Sequence, residues 1–396
     1  MEQQEIVKLF LSKGFQLDSS SLDFFSQEPN KINPFLEEIE KTPEKPSTVS
    51  LNLVKSILKE KPRIEILKTF TQEQKTFAAE KAIQFFIGRY EKIKKILNGR
   101  LDLVNLVSIN KITQKSKKFS IIAMVKEKIS DANSIVAEDL TGELIVRFSE
   151  KTANLLEEIV LDEVIGLVCE AGTDGFTVSN IIWPDLPLRR DVNKANDDIF
   201  CLFISGIRMD SPQFNKESYE KFFNWLSQSS YKTLYIFVLG GVSSRKDDVK
   251  EFFSRIPKDS EKIFLRSAAD PEFPEEFNIT DPSLIKLDNI ILLLCDGIHI
   301  EKYSKMWPGM QPEKIMMNLL KKRHLDPTFD SSTKILDQDY FVIDTIPDIF
   351  VSGNSSAPGI LNYKGTTIIS NGNFLTQPIF WMVNLKTRET FKLDFT

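Results

Sequence analysis

Histidine and cysteine are scarce in this chain of 396 residues, which contains two His and three Cys. The cysteines, Cys169, Cys201 and Cys295, lie far apart in apolar runs without a CxxC pair. This spacing excludes a disulfide framework and favours reduced core residues of a cytosolic protein. The two histidines, His299 and His324, are too few for a hydrolytic site that holds two metals with about four imidazoles.

Long apolar runs are absent as well. No run approaches the roughly 18 residues of a membrane-spanning helix, and the first residues, MEQQEIVKLF, lack a signal-peptide layout. We therefore expect a cytoplasmic protein that makes no contact with a membrane. The net charge is −5, so any contact with nucleic acid must come from local basic patches rather than from the overall field.

The length and the 41% apolar content predict two or three domains with substantial cores. Residues 1–27 carry the apolar stripe of a helical segment. Residues 28–50 contain four prolines among charged residues, which predicts a linker. Residues 51–100 are again predicted to be helical, most clearly in AIQFFIGRYEKIKKILNGR, where apolar residues recur three and four apart.

Short β-rich runs separated by turn residues fill residues 101–185. In GELIVRF, for example, apolar and polar side chains alternate with the period of a half-buried strand. Several such runs, with a helix-like insert near residues 152–159, predict a five-stranded OB-fold barrel, although another small β-barrel fits the same spacing. Residues 186–197 are then a polar connector.

Strands alternate with helices through most of residues 198–396, and the last sixty or so residues are again β-rich. The strands are continuously apolar, as expected for sheets that helices bury. An α/β sandwich is therefore predicted. Functional sites in such folds lie at the carboxyl ends of strands, which here carry loops near residues 206, 241, 268, 296 and 354.

The stretch CLFISGIRMDSPQF, at the first of these loops, resembles the opening of a metal-dependent phosphoesterase without its metal ligands. A buried strand runs into a sharp polar turn, where such enzymes place an aspartate and, two residues later, a histidine. Here these places hold Gly206 and Arg208. Two-metal phosphoesterases need hard carboxylate and imidazole ligands that converge on both metals.

Several segments resemble the small subunit of archaeal family-D DNA polymerases. LLKKRHLDPTF and VIDTIPDIFVSGNSS are similar to two motifs of that family, the second of which ends there in a metal-binding Gly-His-x-His. YKGTTIISNGNFLTQ resembles the closing segment, FFIGRYEKIKKIL the helix before the OB domain, and VSNIIWPDLPLRR the exit from it. The resemblance covers residues 83–396. It implies a multidomain α+β protein with an N-terminal helical region, an OB-fold β-barrel and an α/β sandwich of the calcineurin-like metallophosphoesterase type.

The family's metal ligands are missing at nearly every matching position. Asp270 alone is retained, and in this enzyme class that aspartate supports the phosphate side of the site rather than the metals. The positions that make up this degenerate site, the retained Asp270 included, are Gly206, Arg208, Gly241, Ala268, Ala269, Asp270, Asp296, Asn354 and Ser356. The resemblance therefore implies a non-catalytic subunit without metal or cofactor, which packs against the large catalytic subunit of the polymerase beside DNA and has lost its exonuclease site.

Three alternatives remain at this point. The accessory B subunits of eukaryotic replicative polymerases share the same design, although RHLDP favours the archaeal form. An active phosphodiesterase could use an unusual site made of Asp270, Asp296, Asp210 and Glu301. An independent single-strand binder would need aromatic stacking platforms, and the barrel segment has few aromatic residues.

Three further segments carry predictions. KITQKSKK supplies candidate DNA-binding residues, Lys111, Lys115, Lys117 and Lys118, although a solvated loop fits equally well. QQEIVKLF resembles a peptide that binds a sliding clamp, but its spacing favours an ordinary amphipathic helix. KKRHLDP persists beside the missing metal site. Its Arg323, His324 and Pro327 are therefore predicted either to support the sandwich internally or to seat the large subunit.

Overall fold

The computed structural model describes residues 3–40, 46–58, 64–68, 79–172, 175–231, 233–272, 277–330, 335–336 and 338–396. The chain divides into two compact units, Met1–Ile64 and Glu65–Thr396. In the part of the chain that these ranges cover, we find no helix with the length and apolar content needed to cross a membrane.

The first unit is a small helical bundle. Its helices are α1 (Gln3–Ser12), α2 (Ser19–Gln27), α3 (Ile32–Ile39) and α4 (Leu51–Ile57), and its two short strands, β1 (Gln16–Leu17) and β2 (Thr48–Val49), pair in parallel. Asp18 caps α2 by accepting a hydrogen bond from the backbone N–H of Ser21 at 2.7 Å. The core is formed by buried aromatic and aliphatic side chains, among them Ile6, Phe10, Phe15, Phe25, Phe35 and Ile39.

The linker predicted for residues 28–50 is wrong for most of its length. A 3₁₀ turn spans Pro29–Lys31 and α3 follows it directly. Pro29 and Pro34 lie in the first turns of these two elements, where a missing N–H costs no hydrogen bond. The four apolar residues of α3 recur at helical spacing and are buried: Ile32, Phe35, Leu36 and Ile39. Pro43 lies outside the described residues.

The helical prediction for residues 51–100 also needs correction. This region contains α4, a strand β3 (Ile64–Lys68) and the long helix α5 (Ala79–Leu97), and the boundary between the two units falls at the start of β3. The strand carries Ile64, Ile66 and Leu67 in a short run that length and periodicity alone do not separate from a helix.

A closed five-stranded barrel follows, and this part of the predicted fold class is confirmed. Its strands are β4 (Lys118–Ile129), β5 (Ser134–Asp139), β6 (Gly142–Phe148), β7 (Val164–Gly172) and β8 (Gly175–Ile182), closed in the order β4-β5-β6-β8-β7. Helix α6 (Ala153–Glu158) is inserted between β6 and β7, and 3₁₀ turns lie at Ile109–Lys111 and Ser130–Ala132. Alternate apolar residues of the strands fill the interior.

The α/β region, also as predicted, contains two six-stranded sheets. The first has the order β12-β11-β10-β9-β18-β19 and is built from β9 (Phe200–Ile204), β10 (Leu234–Val238), β11 (Glu261–Leu265), β12 (Phe277–Ile279), β18 (Ile379–Asn384) and β19 (Thr390–Asp394). Helices α7 (Lys216–Gln228) and α8 (Lys246–Arg255) pack their aromatic side chains against it.

The second sheet has the order β16-β17-β15-β14-β13-β3. It adds β13 (Ser283–Leu287), β14 (Ile290–Cys295), β15 (Ile349–Ser352), β16 (Pro358–Tyr363) and β17 (Thr366–Asn371), and its helices are α9 (Ile298–Met306) and α10 (Pro312–Lys322). Strands β9, β10 and β11 run parallel in the first sheet, as do β14 and β15 in the second. Their carboxyl ends therefore bring the loops of the predicted site to the same edge of their sheets.

Candidate functional site

The loops after β9 and β10 are bound to each other through their backbones. The N–H of Gly206 donates to the carbonyl of Gly240 at 3.2 Å, and the N–H of Arg208 donates to the carbonyl of Gly241 at 2.9 Å. All four residues have positive φ, between 52° and 72°. Three of them are glycines, which adopt this left-handed conformation at little cost. The two loops thus form one closely packed turn structure at the position where the sequence resemblance predicts the degenerate metal site.

Neither glycine that replaces an expected aspartate has room for a side chain. A Cβ atom on Gly206 would lie 2.6 Å from Oδ1 of Asn373, and one on Gly241 would lie 2.5 Å from Oδ1 of Asn354. Both distances are far below ordinary van der Waals contact. Two neutral amides therefore occupy the space into which carboxylates at these positions would extend.

Asn354 joins three strand ends. Its Nδ2 donates to the carbonyl oxygens of Leu239, just after β10, at 2.9 Å, and of Asp296, just after β14, at 3.1 Å. Asn354 itself follows β15 with φ of 47°, which asparagine tolerates better than most residues. Its Oδ1 is buried and has no hydrogen-bond partner among the described residues.

Asp270 is bound entirely by backbone donors. Its carboxylate accepts hydrogen bonds from the N–H groups of Ser267, Gly241 and Val242 at 3.0, 2.9 and 3.1 Å. Such a carboxylate fixes the loop after β11 against the loop after β10. Its neighbours Ala268 and Ala269 are exposed, as is Ser356 beyond β15.

A pair of carboxyl groups, from the buried Asp296 and the half-buried Asp281, lies beside this cluster. Oδ1 of Asp281 accepts from the backbone N–H of Asp296 at 2.9 Å, and Oδ1 of Asp296 accepts from the N–H of Ile298 at 2.9 Å. The pKa of Asp281 is raised well above its usual range, mainly by burial and secondly by the nearby charge of Asp296. Asp281 therefore holds its proton more strongly than an exposed aspartate does. Sequence reasoning missed it because no motif marks this position.

The structure does not assemble the alternative catalytic set. Asp210 is bound to Ser244, with 3.0 Å between its Oδ2 and the Ser244 backbone N, and Glu301 forms an exposed ion pair with Lys305 on α9. Among the residues that the structure describes, no three His, Cys, Asp or Glu side chains lie where they could hold a metal ion together.

The KKRHLDP segment, in contrast, lies in a dense polar network. Arg323 ends α10 with φ of 57° and is 3% exposed. Its guanidinium donates to two backbone carbonyls, those of Ile343 at 2.7 Å and Asp344 at 2.8 Å, rather than to a carboxylate. Lys322, also buried, binds Glu163 at 2.8 Å and so connects α10 to the barrel.

His324 lies at the centre of this network and is 2% exposed. Its Nδ1 accepts from the backbone N–H of Asp326 at 3.0 Å, so its Nε2 carries the proton that faces Asp339 at 2.9 Å. Burial lowers the pKa of His324, which agrees with this neutral tautomer. Pro327 contributes its carbonyl oxygen, which accepts a hydrogen bond from Arg89 of α5.

Asp339 and Arg89 form the charged pair of the network, with 2.6 Å between Nε of Arg89 and Oδ2 of Asp339. Burial opposes ionisation of Asp339, but the hydrogen bond from His324 and the guanidinium of Arg89 outweigh it and hold its pKa below the usual range. The sequence motif located His324 but neither partner, which lie 235 and 15 residues away from it along the chain.

The four candidate DNA-binding lysines are all exposed around the start of β4. Lys118 pairs with Glu170 at 2.8 Å, whereas Lys111, Lys115 and Lys117 have no ion pair with the described part of the chain. The clamp-like segment forms α1, and its anchors Ile6 and Phe10 are fully buried in the core of the first unit. The amphipathic-helix interpretation is therefore the one that the structure supports.

Comparison with known proteins identifies relatives along most of the chain, although no family model matches it. A DNA polymerase II small subunit of Archaeoglobus fulgidus is 24% identical over 93% of this chain and 84% of its own length. Those of Thermoplasma acidophilum and Methanothermobacter thermautotrophicus are 24% and 25% identical over 74% and 75% of this chain, and over 71% and 73% of their own lengths.

Solved structures cover a smaller part of the chain. An archaeal phosphodiesterase matches 50% of this chain and 99% of its own with 11% identity and a TM-score of 0.31. Zinc-bound Vps29 of Entamoeba histolytica matches 50% of this chain and 100% of its own with 12% identity and a TM-score of 0.32. The resemblance to the small subunits of archaeal DNA polymerases is thus confirmed by sequence relatives over most of the chain.

Proposed function

We propose that this chain is the small, non-catalytic subunit of an archaeal replicative DNA polymerase. In this role it stabilises the large catalytic subunit, its partner in the assembly, and contributes to DNA binding. The polymerase reaction belongs to the assembly, and the 3′–5′ exonuclease activity of this chain is lost. The proposal rests on relatives that are named as small subunits of DNA polymerase II.

The observation that supports the loss of nuclease activity is the filling of the site by neutral amides. Two divalent cations need several carboxylate or imidazole ligands. Here the positions of two of those ligands are Gly206 and Gly241, and the amides of Asn373 and Asn354 take the space beside them. A cation entering this space would meet two amide oxygens, backbone groups and the guanidinium of Arg208, whose Nε would lie 3.3 Å from a Cβ on Gly241. None of these groups neutralises its charge.

Co-expression with the large subunit from the same organism tests the role in the assembly. We expect a stable complex on gel filtration and no uptake of Mn²⁺ at two sites by the isolated chain in calorimetry. A chain that stays free of the large subunit contradicts the assembly role, whereas two Mn²⁺ ions bound with micromolar affinity contradict the loss of the metal site.

We propose that the lysines at the start of β4 make the contribution to DNA binding. Each phosphate contact that is lost lowers the slope of log K against log salt by about 0.9 for duplex DNA. We expect the fourfold Lys→Gln variant of Lys111, Lys115, Lys117 and Lys118 to lower the slope of the assembled polymerase by about 2–4. The double variant Lys305→Gln and Lys386→Gln is the control, and an unchanged slope in the fourfold variant rules out the contact.

A clamp contact through residues 3–10 is excluded from this proposal, because Ile6 and Phe10 would have to leave the core of the first unit. We expect the full chain to show no binding to the cognate clamp in a titration. The network around His324 is proposed to act as internal support of the sandwich, since Arg323 and His324 are too deeply buried to form a partner surface.

A further inference from the structure

An apolar groove of about 330 Å³ lies between helix α5 and the barrel. One wall is a stripe of α5 with the spacing i, i+3, i+4, i+7, formed by Ile83, Phe86, Ile87 and Tyr90. The other wall includes Met124 of β4 and the turn between β5 and β6. The groove is separate from the degenerate metal site, which lies at the strand ends of the two sheets.

The apolar surface of the groove is open to solvent. Ile83 is 58% exposed and Leu140, at the tip of the β5–β6 turn, is 55% exposed. Among the described residues, none packs over either side chain closely enough to bury it as a core residue is buried. The apolar stripe of α5 thus extends beyond the surface that the barrel covers. Such an uncovered stripe is typical of a surface that binds a second segment.

The lining is acidic. Glu138, Asp139 and Asp162 contribute to the walls, and the described lining contains no Lys or Arg. Burial raises the pKa of Asp162, and its carboxylate accepts one hydrogen bond, from the N–H of Phe329 at 2.9 Å. Two basic side chains near the groove already have acidic partners: Lys126 pairs with Glu138 and Glu143, and Arg89, which donates to the carbonyl of Asp162, pairs with Asp339. This field repels the phosphates of DNA and attracts a cationic segment.

We propose that this groove receives an amphipathic segment of the large polymerase subunit, with two or three apolar anchors flanked by lysine or arginine. The inference rests on the proposed function and adds the place and the chemistry of one contact with that partner. The anchors fill the space between Ile83 and Leu140, and the basic residues meet Glu138 and Asp162. Apolar area then supplies affinity, while the charges set orientation and the rate of association.

The test measures binding of the co-expressed, purified large subunit to three forms of this chain. Ile83→Asp combined with Leu140→Asp introduces charge at two positions that are more than half exposed, so folding is retained. Ile298→Asp is the matched control, since Ile298 is 57% exposed on α9 and does not line the groove. We expect the double variant to raise Kd about tenfold or more, as for the loss of central apolar anchors, and the control to match the unaltered chain.

A smaller change tests the charges. Glu138→Gln is expected to raise Kd about two- to fivefold at low salt and to weaken the dependence of the association rate on ionic strength. Melting temperatures and circular dichroism of all variants establish that the chain is folded. A double variant that binds within a factor of about two of the unaltered chain overturns the groove assignment, because such a shift is below about 0.5 kcal/mol.

The two proposals fail in different ways. If the unaltered chain does not bind the large subunit, the proposed function and the groove assignment both fail. If it binds and the double variant binds equally well, only the groove assignment fails. A photocrosslinking residue in place of Ile83 should link to a basic, apolar segment of the large subunit. A link to residues 69–78 of this chain, to a second copy of it or to DNA contradicts the proposed occupant.

Discussion

Two polar regions of the second unit differ in which buried polar groups they contain. At the strand ends, where the metals of a phosphoesterase would lie, the turn glycines meet the neutral amides of Asn354 and Asn373. The network around His324 contains two buried ion pairs: Arg89 binds Asp339, and Lys322 binds Glu163. Both regions are largely hidden from water, so the difference lies in what compensates the charges.

This contrast concerns which polar groups a protein can bury without a bound metal. Carboxylates that two cations neutralise become uncompensated when the cations leave, and an isolated buried charge costs several kcal/mol. Glycine and asparagine at such positions carry no charge and avoid that cost. Charges paired within the chain need no external ion and remain. Asp281 is intermediate, because its raised pKa favours the neutral acid beside the carboxyl group of Asp296.

The largest effect is expected from removing charge where it is paired. Asp339→Asn keeps the shape of the side chain but leaves the guanidinium of Arg89, which is 1% exposed, without its counter-ion. We expect the free energy of unfolding at pH 7 to fall by about 3–5 kcal/mol, the usual cost of breaking a buried ion pair. Urea denaturation measures it. Glu217→Gln, which breaks an exposed pair with Lys221 on α7, serves as the control and should leave the midpoint unchanged.

A second effect tests how tightly the cleft between the loops after β9 and β10 is packed. Gly241 and Gly309 both have positive φ, 70° and 81°, but a Cβ on Gly309 meets nothing within 4 Å. Gly309→Ala should therefore cost about 1–2 kcal/mol from the backbone alone. Gly241→Ala should cost about 1–3 kcal/mol more, because the new atom overlaps the amide of Asn354. Equal losses of stability in the two variants would show that the cleft has room for a side chain.

The change from Asp to Asn, which should destabilise the network at Asp339, should be tolerated at Asp281 beside the cleft. Asp281 keeps its proton in the folded chain, whereas the unfolded chain releases it above about pH 3.9. Folding stability therefore falls as pH rises from that value toward the raised pKa, by at most about 1.4 kcal/mol per pH unit. Asp281→Asn removes this loss. We expect the variant to gain stability relative to the unaltered chain as pH rises from 4 to 7, in denaturation curves at each pH.

The smallest effect concerns the pH dependence of the network. His324 is neutral when folded and its pKa is lowered, mainly by burial. Below about pH 6.5, His324 of the unfolded chain binds a proton that the folded chain does not bind. Stability should therefore decline as pH falls from 7.5 toward the lowered pKa, by at most about 1.4 kcal/mol per pH unit. His324→Gln should flatten this decline, and His299→Gln should leave it in place. An unchanged decline in His324→Gln assigns it to another group.

Much of the fold could be predicted because local periodicity reports it. Alternation in GELIVRF identified a barrel strand, and continuous apolar runs such as LYIFV identified strands that are buried on both faces. The α3 helix was missed because Pro29 and Pro34 suggested a loop, although Pro29 begins the preceding 3₁₀ turn and Pro34 lies in the first turn of α3, where proline is tolerated. The helical spacing of Ile32, Phe35, Leu36 and Ile39 was the signal that could have identified it.

The site was only partly predictable, because its contacts join distant residues. The sequence indicated which ligands are missing, but the amide facing Gly206 comes from Asn373, 167 residues further along the chain. Likewise, RHLDP marked His324, while its partner Asp339 and the guanidinium of Arg89 carry no motif. Pairing between distant polar groups depends on the tertiary fold, and no local pattern of one sequence reports it.

The most direct test of the account is an exonuclease assay on this chain, alone and in complex with the large subunit. The substrate is a 3′-labelled, mismatched primer–template with Mn²⁺. We predict no release of nucleotide by the isolated chain and no change in the complex when Asp296→Asn is introduced. Release by the isolated chain that requires Mn²⁺ and disappears in the variant with both Asp270→Ala and Asp296→Ala would contradict the central claim, namely that the phosphoesterase fold remains here as a scaffold without its chemistry.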